Sequence, residues 1–580
     1  MVDAAKKRIR IGDLLVAQAL ITDEQLQQAL QTQKRSGLKL GRQLIELGAI
    51  EEQTLLELLS RQLGIPFVDL KHFRFDPALV KTVPENIARR YRVIPLKDEG
   101  DALLLGMADP TDIFSLDDIQ KVVPKVIKTA VVRESELLDI LDIAYSRTEE
   151  IASLAEQLDE ELAGDAVDFR DIASEATDSD APVVKLLQKV FEEALSTKAS
   201  DIHIEPDETV LRIRQRIDGV LVEQVMNEKR ISAALVVRLK LMSNLDISEK
   251  RLPQDGRFNL RLSKHNIDVR VSTMPVQYGE SVVMRILDQT EGVRPLTSVG
   301  MPDVYIKRFR QIIARPHGLV LVTGPTGSGK TTTLYGALAE LNQPEKKIIT
   351  VEDPVEYRLP RVNQVQIHDR IGLDFSTVLR ATLRQDPDIL LIGEIRDAES
   401  AEIALRAAMT GHLVLSTLHT NDAVTSALRL IDMGVDPYLV AASLKAIVAQ
   451  RLIRRVCESC SEVHELSAEE QKIFHTLKLD HEVANATFRK GSGCPHCFNT
   501  GYRGRVGVFE LLEINTAMAD ALRDNSVRNF NVAAHASKGY RPLGASALDF
   551  AMQGVTTLDE VLRVSAEVAD ESLAEIAEHN

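Results

Sequence analysis

The chain has 580 residues, 44% of them hydrophobic and 27% charged, a length that calls for several cores and a composition ordinary for globular domains. Its formal net charge of −16 argues against a generic nucleic-acid binder, because phosphate contacts need a basic surface, and no apolar run approaches the roughly 18–20 residues of a membrane span. The opening MVDAAKKRIRIGDLL lacks the apolar stretch and small-residue cleavage site of a signal peptide, so a cytoplasmic location is expected.

The first recognisable elements are written twice. RIGDLLVAQALITDEQLQQALQTQ is followed, after the spacer KRSGL, by KLGRQLIELGAIEEQTLLELLSRQ. Gly12 falls on Gly41, Leu15 on Leu44, Ile21 on Ile50, Leu26 on Leu55, Leu30 on Leu59, Gln33 on Gln62 and Arg10 on Lys39. Each copy predicts a short helix, a turn and a longer helix, with Thr22 or Asp23 as N-cap in the first. Two packed helical hairpins account for the leucines. They do not account for the opening cation, apolar residue and glycine of each copy, Arg10-Ile11-Gly12 and Lys39-Leu40-Gly41. Glycine permits close backbone approach, and a cation beside backbone N–H groups suits a phosphate, so a doubled cradle suits a ligand with two phosphates. On the residues alone both readings stand.

Strand-like stretches at 91–96 and 102–107 alternate with helical ones and complete a first domain, expected over 1–147. From 148 to 181 the sequence is acidic and poor in aromatics; part of it is compatible with a helix, but it reads mainly as a solvated linker. A smaller α/β domain is expected over 182–290. It opens on the amphipathic VVKLLQKVFEEALS and continues in alternating strands with Asp218-Gly219 as a hairpin turn. The remainder, 291–580, reads as an α/β nucleotide-binding domain with a helical C-terminal region.

GLVLVTGPTGSGKTTTLYGALAEL carries the strongest signal. Gly324, Gly329, Lys330 and Thr331 meet the G-x-x-x-x-G-K-[ST] pattern between an apolar strand and a helix. Residues Gly324, Pro325, Thr326, Gly327, Ser328, Gly329, Lys330, Thr331 and Thr332 form the expected ATP and Mg²⁺ site. Backbone N–H groups would face phosphate oxygens, Lys330 the β- and γ-phosphates, and Thr331 the Mg²⁺. A second apolar strand, Ile389 to Ile392, ends in Gly393-Glu394, a carboxylate able to orient water. The Asp usual before such a glutamate is absent, so Mg²⁺ relies on Thr331, the nucleotide, waters and carboxylates elsewhere. Glu352, Asp353 and Glu356 crowd the end of a further strand, a charge density that calls for a cation or a neighbouring subunit's Arg. His412 and His419 bracket another strand. Each reads equally as a structural hydrogen-bonder or a site residue. Cys457, Cys460, Cys494 and Cys497, the only cysteines, form two C-x-x-C pairs, the arithmetic of a structural tetrathiolate Zn²⁺ site within about 457–497.

The order GPTGSGKT, VEDPVEY, LLIGEIRD and TGHLVLSTLHTND resembles the GspE/PilB-like ATPases of type II secretion and type IV pili, whose Walker A, Asp box, Walker B and His box these are. The resemblance runs from about Asp180 to the C-terminus. It implies an α/β fold in which a RecA-like ATPase domain follows a smaller α/β domain and a mainly helical ligand-binding domain. It also implies a hexamer with ATP between domains and subunits. By resemblance Glu394 is the catalytic glutamate and Glu352, Asp353 and Glu356 help to place Mg²⁺ and water, with His419 beside them. The missing Asp is a departure the family shares. Arginines of the preceding domain reach the γ-phosphate in the family. Arg216 is favoured here over Arg230, Arg251, Arg257 and Arg270. A tetracysteine element occurs in many assembly ATPases and tilts the reading toward assembly.

The doubled phrase, from Arg10 to Gln62, resembles the N-terminal c-di-GMP-binding domain of MshE-type pilus ATPases, which has two tandem motifs and a five-residue spacer. That implies ligand contacts from Arg10, Ile11, Gly12, Leu15, Leu26, Leu30 and Gln33, and from Leu40, Gly41, Leu44, Leu55, Leu59 and Gln62. Lys39 replaces the first copy's arginine and cannot repeat a bidentate contact. Asp109 is a candidate acceptor for guanine donors, and Arg8 a further cation. The expected protein is a cytoplasmic homohexameric ATPase, peripheral to the inner membrane and regulated by c-di-GMP. It would drive an inner-membrane platform protein to assemble a type IV pilus most like MSHA, with no nucleic-acid partner. The alternatives are a type II secretion ATPase, a c-di-GMP-binding scaffold with weak ATPase activity, and a RecA-like nucleic-acid motor, which the acidic balance disfavours.

Overall fold

The computed structural model describes residues 11–36, 40–70, 73, 76–110, 112–145, 148–163, 182–262, 265–290, 292–468, 470–472 and 486–566. They belong to two compact units, one of residues 1–149 with 458–460 and 494–499, the other of the remaining chain.

In the first unit the doubled phrase forms α1 (Ile11–Ala17), α2 (Asp23–Ser36), α3 (Leu40–Glu46) and α4 (Glu52–Leu63). Thr22 caps α2 in a reciprocal box: its hydroxyl accepts from the Gln25 amide at 3.2 Å while the Gln25 side chain accepts from the Thr22 amide at 2.8 Å. The second copy has Glu51 at the N-cap and no side-chain cap bond there. Leu15, Ile21, Leu26, Leu44, Ile50 and Leu55 bury together, so each copy contributes the same three positions to one core. The repeated glycines have a packing reason. A Cβ on Gly12 would lie 2.8 Å from Leu26 Cδ1, and one on Gly41 2.9 Å from Leu55 Cδ2, so in each copy the leucine of the long helix rests on the backbone of the short one.

The same unit holds a three-stranded sheet, β1 (Val93–Asp98), β2 (Ala102–Met107) and β3 (Val126–Val131), in that order. β1 and β2 are antiparallel; β2 and β3 are parallel, joined through the helix Ile113–Val122. The first strand starts later than its apolar pattern predicts, because the helix Glu85–Tyr91 ends in a left-handed Arg92.

Thr148–Ala163 is a helix, all but its first two residues in the second unit, and its buried face corrects the expectation that this stretch is mainly solvated. Its Ile151, Ala155 and Leu158 are buried with Val183, Leu186 and Phe191. A 3.6-residue apolar stripe is hidden in an acidic composition, and burial of the stripe outweighs the solvation of the other face. Residues 164–181, the rest of that linker, lie outside the described residues. An antiparallel sheet follows: β4 (Asp201–Pro206), β5 (Leu211–Ile217), β6 (Val220–Met226), β7 (Gln254–Leu262), β8 (His265–Val276) and β9 (Gly279–Asp288), in the order β6-β5-β4-β9-β8-β7. Asp218 and Gly219, both at positive φ, make the expected hairpin turn. The helices Pro182–Ser196 and Ile231–Met242 share this sheet's core.

The larger sheet contains β10 (Gly318–Thr323), β11 (Ile348–Glu352), β12 (Val362–Gln366), β13 (Ile389–Ile392), β14 (Leu413–Leu418) and β15 (Leu444–Val456). A small antiparallel pair, β16 (Ser461–Val463) and β17 (Arg489–Gly491), precedes its last strand, β18 (Tyr502–Glu513). The order is β12-β11-β13-β14-β10-β15-β18, parallel throughout except for the antiparallel β15–β18 pair. β10, β13 and β14 are buried along their whole length, as strands covered on both faces must be.

Glu510 on β18 is buried, and accepts from the Ala423 amide at 3.0 Å, the Leu543 amide at 3.1 Å and the Tyr540 hydroxyl at 2.8 Å. Burial, with the nearby Asp422 charge, outweighs these donors and pushes its pKa up to about 7. The folded value exceeds the ordinary 4.5, so ionisation of Glu510 opposes the fold: its contribution to stability is greatest below pH 4.5 and declines up to about pH 7. Tyr540 donates more strongly to the charged form. Tyr540→Phe is therefore expected to cost about 1 kcal/mol at pH 5.5 and about 2–3 kcal/mol at pH 8, read from thermal unfolding. An equal cost at both values would show that Glu510 does not titrate between them.

Candidate active site

Strand register decides which loops meet. Thr323 pairs with Leu418, Ile392 with Ser416, and Val351 with Ile392. The segments that leave these strands, 324–329, His419, Gly393-Glu394 and Asp353, therefore emerge along one edge, at the carboxyl ends of parallel strands where α/β sheets bind ligands.

Gly324, Gly327 and Gly329 have φ of +146°, +80° and +90°, and the helix Lys330–Leu341 starts directly after them. Lys330 Nζ folds back to donate to the carbonyls of Gly324 at 2.5 Å and Pro325 at 3.1 Å. Ser328 Oγ is buried and has no hydrogen-bond partner among the described residues. A polyphosphate answers both features, giving the orphan hydroxyl an acceptor and the ammonium an anion. Pro325, Thr326, Gly327 and Thr331 are exposed at the mouth, and Thr332 is half-buried. Burial draws Lys330 down to about 8; the Glu394 charge works against this shift and the Arg451 charge with it. Thr331, the nucleotide and nearby carboxylates suit Mg²⁺, which when bound would neutralise charge on the phosphates.

Glu394 sits between Arg396 and His419. One carboxylate oxygen accepts from Arg396 Nε at 2.5 Å and the other lies 3.0 Å from His419 Nε2. Burial alone pushes this carboxyl up, but the Arg396 and His419 bonds and charges outweigh it and hold it below its ordinary value. A carboxylate kept ionised at the end of a strand beside the phosphate loop can orient water and take its proton.

The Asp-box acids are not one cluster. Glu352 is buried and accepts from Tyr335 and Thr350 hydroxyls at 2.5 Å and from Gln364 at 3.3 Å, and its burial raises its pKa. Asp353 faces Arg396 at 3.4 Å. Glu356 is held by both Nη atoms of Arg270, at 2.5 and 3.2 Å. The charge crowding that the sequence suggested is relieved within the chain: one acid turns inward and the other two each meet an arginine. Of the candidate arginines, Arg270 reaches an Asp-box acid. Arg216 instead donates to the Gly219 carbonyl at 2.9 Å and lies 3.8 Å from Asp201. Arg251 pairs with Glu249, Arg257 lies opposite Arg270 across β7–β8, and Arg230 is the N-cap of the helix Ile231–Met242. The two histidines also part. His412, before β14, bonds the Ala407 carbonyl at 3.0 Å, whereas His419, after it, reaches Glu394.

The four cysteines are buried, with their sulfurs all within 4.8 Å of one another. Two of the separations, Cys460–Cys497 and Cys494–Cys497, are 3.8 and 3.7 Å. Zn–S bonds of about 2.3 Å at tetrahedral angles place sulfurs about 3.8 Å apart, so the set fits a tetrathiolate Zn²⁺ and is far too open for disulfides. Each pair spans a tight 3₁₀ turn, Glu458–Cys460 or Pro495–Cys497, which aims both sulfurs of that pair inward.

In the doubled phrase, Leu15, Leu26, Leu44 and Leu55 are buried in the bundle's own core, and Leu30, Leu40 and Leu59 are partly exposed at its margin. Gln33 and Asp109 are half-buried and Gln62 is exposed. Arg8, Arg10 and Lys39 lie outside the described residues, as does the side chain of Ile11. The sequence reading missed Arg396, Tyr335, Asn421, Gln450 and Arg451. Arg396 was within reach, two residues past Glu394. The rest come from distant segments and leave no local pattern.

A glycine-rich phosphate loop, an ionised glutamate on a neighbouring strand and a parallel sheet that joins them define a P-loop ATPase of RecA-like fold. Residues 176–563 match the model of the type II/IV secretion system protein family, and 63–151 match the MshEN domain. The type IV pilus assembly ATPase PilB of Myxococcus xanthus is 42% identical over 572 residues, covering 95% of this chain and 98% of that protein. The type II secretion system protein E of Xanthomonas campestris is 40% identical over 568 residues, covering 96% and 98%. The solved "Structure of MshE with cdg" is 37% identical over 24% of this chain and 100% of its own, at a TM-score of 0.23. The chain belongs to the type II/IV secretion system ATPase family. The MshEN match begins at residue 63, so the doubled phrase precedes it. No helix among the described residues is long and apolar enough to cross a membrane.

Proposed function

We propose that this ATPase is a homohexameric motor for assembly of an MSHA-like type IV pilus, with c-di-GMP held by the doubled phrase as its regulator. The observation that carries the reading is the union, in one polypeptide, of a phosphate site with its glutamate and a glycine–leucine motif that keeps the same packing in both copies. The pilus-assembly relative, matched over nearly its full length, supports the motor, and the MshEN match beside the doubled phrase supports the regulator. Hydrolysis would turn an inner-membrane platform protein, which would also hold the ring at the membrane surface. ATP and Mg²⁺ occupy the site at 324–332, Zn²⁺ the four cysteines, and Arg270 compensates the Asp box more directly than Arg216.

In the doubled phrase, Gln33 and Gln62, the marginal leucines and the basic residues Arg8, Arg10 and Lys39 would contact the ligand, with Asp109 accepting from guanine. ATP turnover and platform binding of the full chain, with and without c-di-GMP, are the test. The dinucleotide is expected to change one of them at least about twofold, and Arg10→Ala to abolish the response. Equal turnover and equal platform binding would remove the regulator. Type II secretion is the second reading, because the Xanthomonas relative matches over the same span; selective binding to the secretion platform rather than the pilus one would favour it.

A further inference from the structure

We propose that Gln450 and Arg451, on the strand beside the phosphate loop, are positioning residues of the ATPase: Gln450 sets the shape of the loop, and Arg451 ties the Gln450 backbone on which the loop rests to the His419 segment. The inference rests on the reading of 324–331 as the nucleotide site. β15 runs parallel to β10, and the last pair between them is Thr323 with Ala449. The next two residues of β15 therefore stand at the level of the loop.

Gln450 is 1% exposed, and its carboxamide makes two bonds of opposite sense. Its Nε2 donates to the Ser328 carbonyl at 2.8 Å, and its Oε1 accepts from the Thr333 hydroxyl at 2.7 Å. One bond holds the loop and the other the first turn of the helix that follows it. A carboxylate would set a negative oxygen against the Ser328 carbonyl, and an apolar side chain would leave that carbonyl and the hydroxyl without Gln450 as partner. Packing agrees. A Cβ on Gly329 would lie 2.7 Å from Gln450 Nε2, and one on Gly324 2.4 Å from the Gln450 carbonyl oxygen. The loop thus rests directly on Gln450, which gives two of its glycines a second reason beyond their positive φ.

Arg451 is 2% exposed. Its Nη1 donates to the Gln450 carbonyl at 3.1 Å, and its Nη2 to the Asn421 carbonyl at 2.8 Å and the Asn421 side-chain oxygen at 2.6 Å. Asn421 is two residues past His419. A second fastening lies beside it, where the Thr420 hydroxyl meets the Thr323 hydroxyl at 2.5 Å at the end of β10. The loop that holds phosphate and the segment that carries His419 to Glu394 are thereby joined. Burying a guanidinium is costly, so its place here asks for a use that an apolar side chain would not serve.

The test uses the purified full-length chain and its Gln450→Met, Gln450→Glu, Arg451→Lys and Thr333→Val variants, with Lys330→Ala as control. ADP affinity is measured by calorimetry, kcat and KM by phosphate release, and Tm by thermal unfolding. Gln450→Met and Gln450→Glu are expected to weaken ADP binding and lower kcat/KM at least about tenfold, with Tm within a few degrees of wild type. Thr333→Val combined with Gln450→Met should weaken ADP by less than the product of the single effects, since both act on one bond. Arg451→Lys keeps the charge but loses the fork that spans the Gln450 carbonyl and Asn421, so kcat is expected to fall more than KM rises. ADP affinity and kcat/KM within twofold of wild type in Gln450→Met and Arg451→Lys would overturn the proposal, as would losses of Tm alone. Wild-type ADP binding by Lys330→Ala would instead overturn the reading of the nucleotide site beneath it.

Discussion

Glu394→Gln is expected to lower ATP turnover by about 10²–10⁴-fold while leaving nucleotide affinity within a few-fold of wild type. The amide keeps the side chain's length and can still accept from Arg396, so the pocket retains its shape. It loses the negative charge, and with it the ability to take a proton from water. Glu394 is suited to that task by its neighbours, because Arg396 and His419 hold it ionised although it is largely buried. Its distance from bulk water is also set by the fold, since Gly393 before it donates to the Val351 carbonyl at 2.8 Å and draws the strand end inward. Single-turnover phosphate release together with ADP calorimetry checks both halves. A variant that keeps more than about a tenth of wild-type turnover would show that Glu394 only balances charge.

The second large effect concerns the cysteines. The purified chain is expected to carry about one zinc per polypeptide, and Cys497→Ser to lose it. Cys497 is the sensitive position, because its sulfur lies against those of Cys460 and Cys494 and accepts from the Cys494 amide at 3.3 Å. Structural Zn²⁺ contributes on the order of 10–16 kcal/mol to the folding of small zinc modules, so a chelator should unfold this element well below the temperature at which the ATPase core melts. Metal analysis and thiol titration during chelation report the two events separately. Four freely titrating thiols and no zinc in protein purified without chelator would refute the assignment.

The parts of the site that lie on one stretch of chain could be read from the residues. The phosphate loop is contiguous from Gly324 to Thr332, the glutamate closes its own apolar strand, and each cysteine pair spans a single turn. The doubled phrase was likewise plain, because six positions recur at one spacing, and three of them bury in both copies. Composition misled at Thr148–Ala163, where acidic residues hide an apolar stripe that only a partner surface makes visible.

Other assignments depended on neighbours far away in the chain. Three acids in one box look alike as letters, yet Glu352 turns to Tyr335, Asp353 to Arg396 and Glu356 to Arg270. Arg216 led five candidate arginines on the sequence, but the β8 position of Arg270 sets that residue, and not Arg216, against Glu356. Gln450 and Arg451 carry no motif, and their place under the phosphate loop follows from β15 lying beside β10 rather than elsewhere in the sheet. Bond-forming chemistry was encoded locally because a turn of a few residues can aim backbone amides, thiolates or a carboxylate. The partners that hold those groups in place were not, because strand order brings together residues that are over a hundred positions apart, such as Gln450 and Ser328.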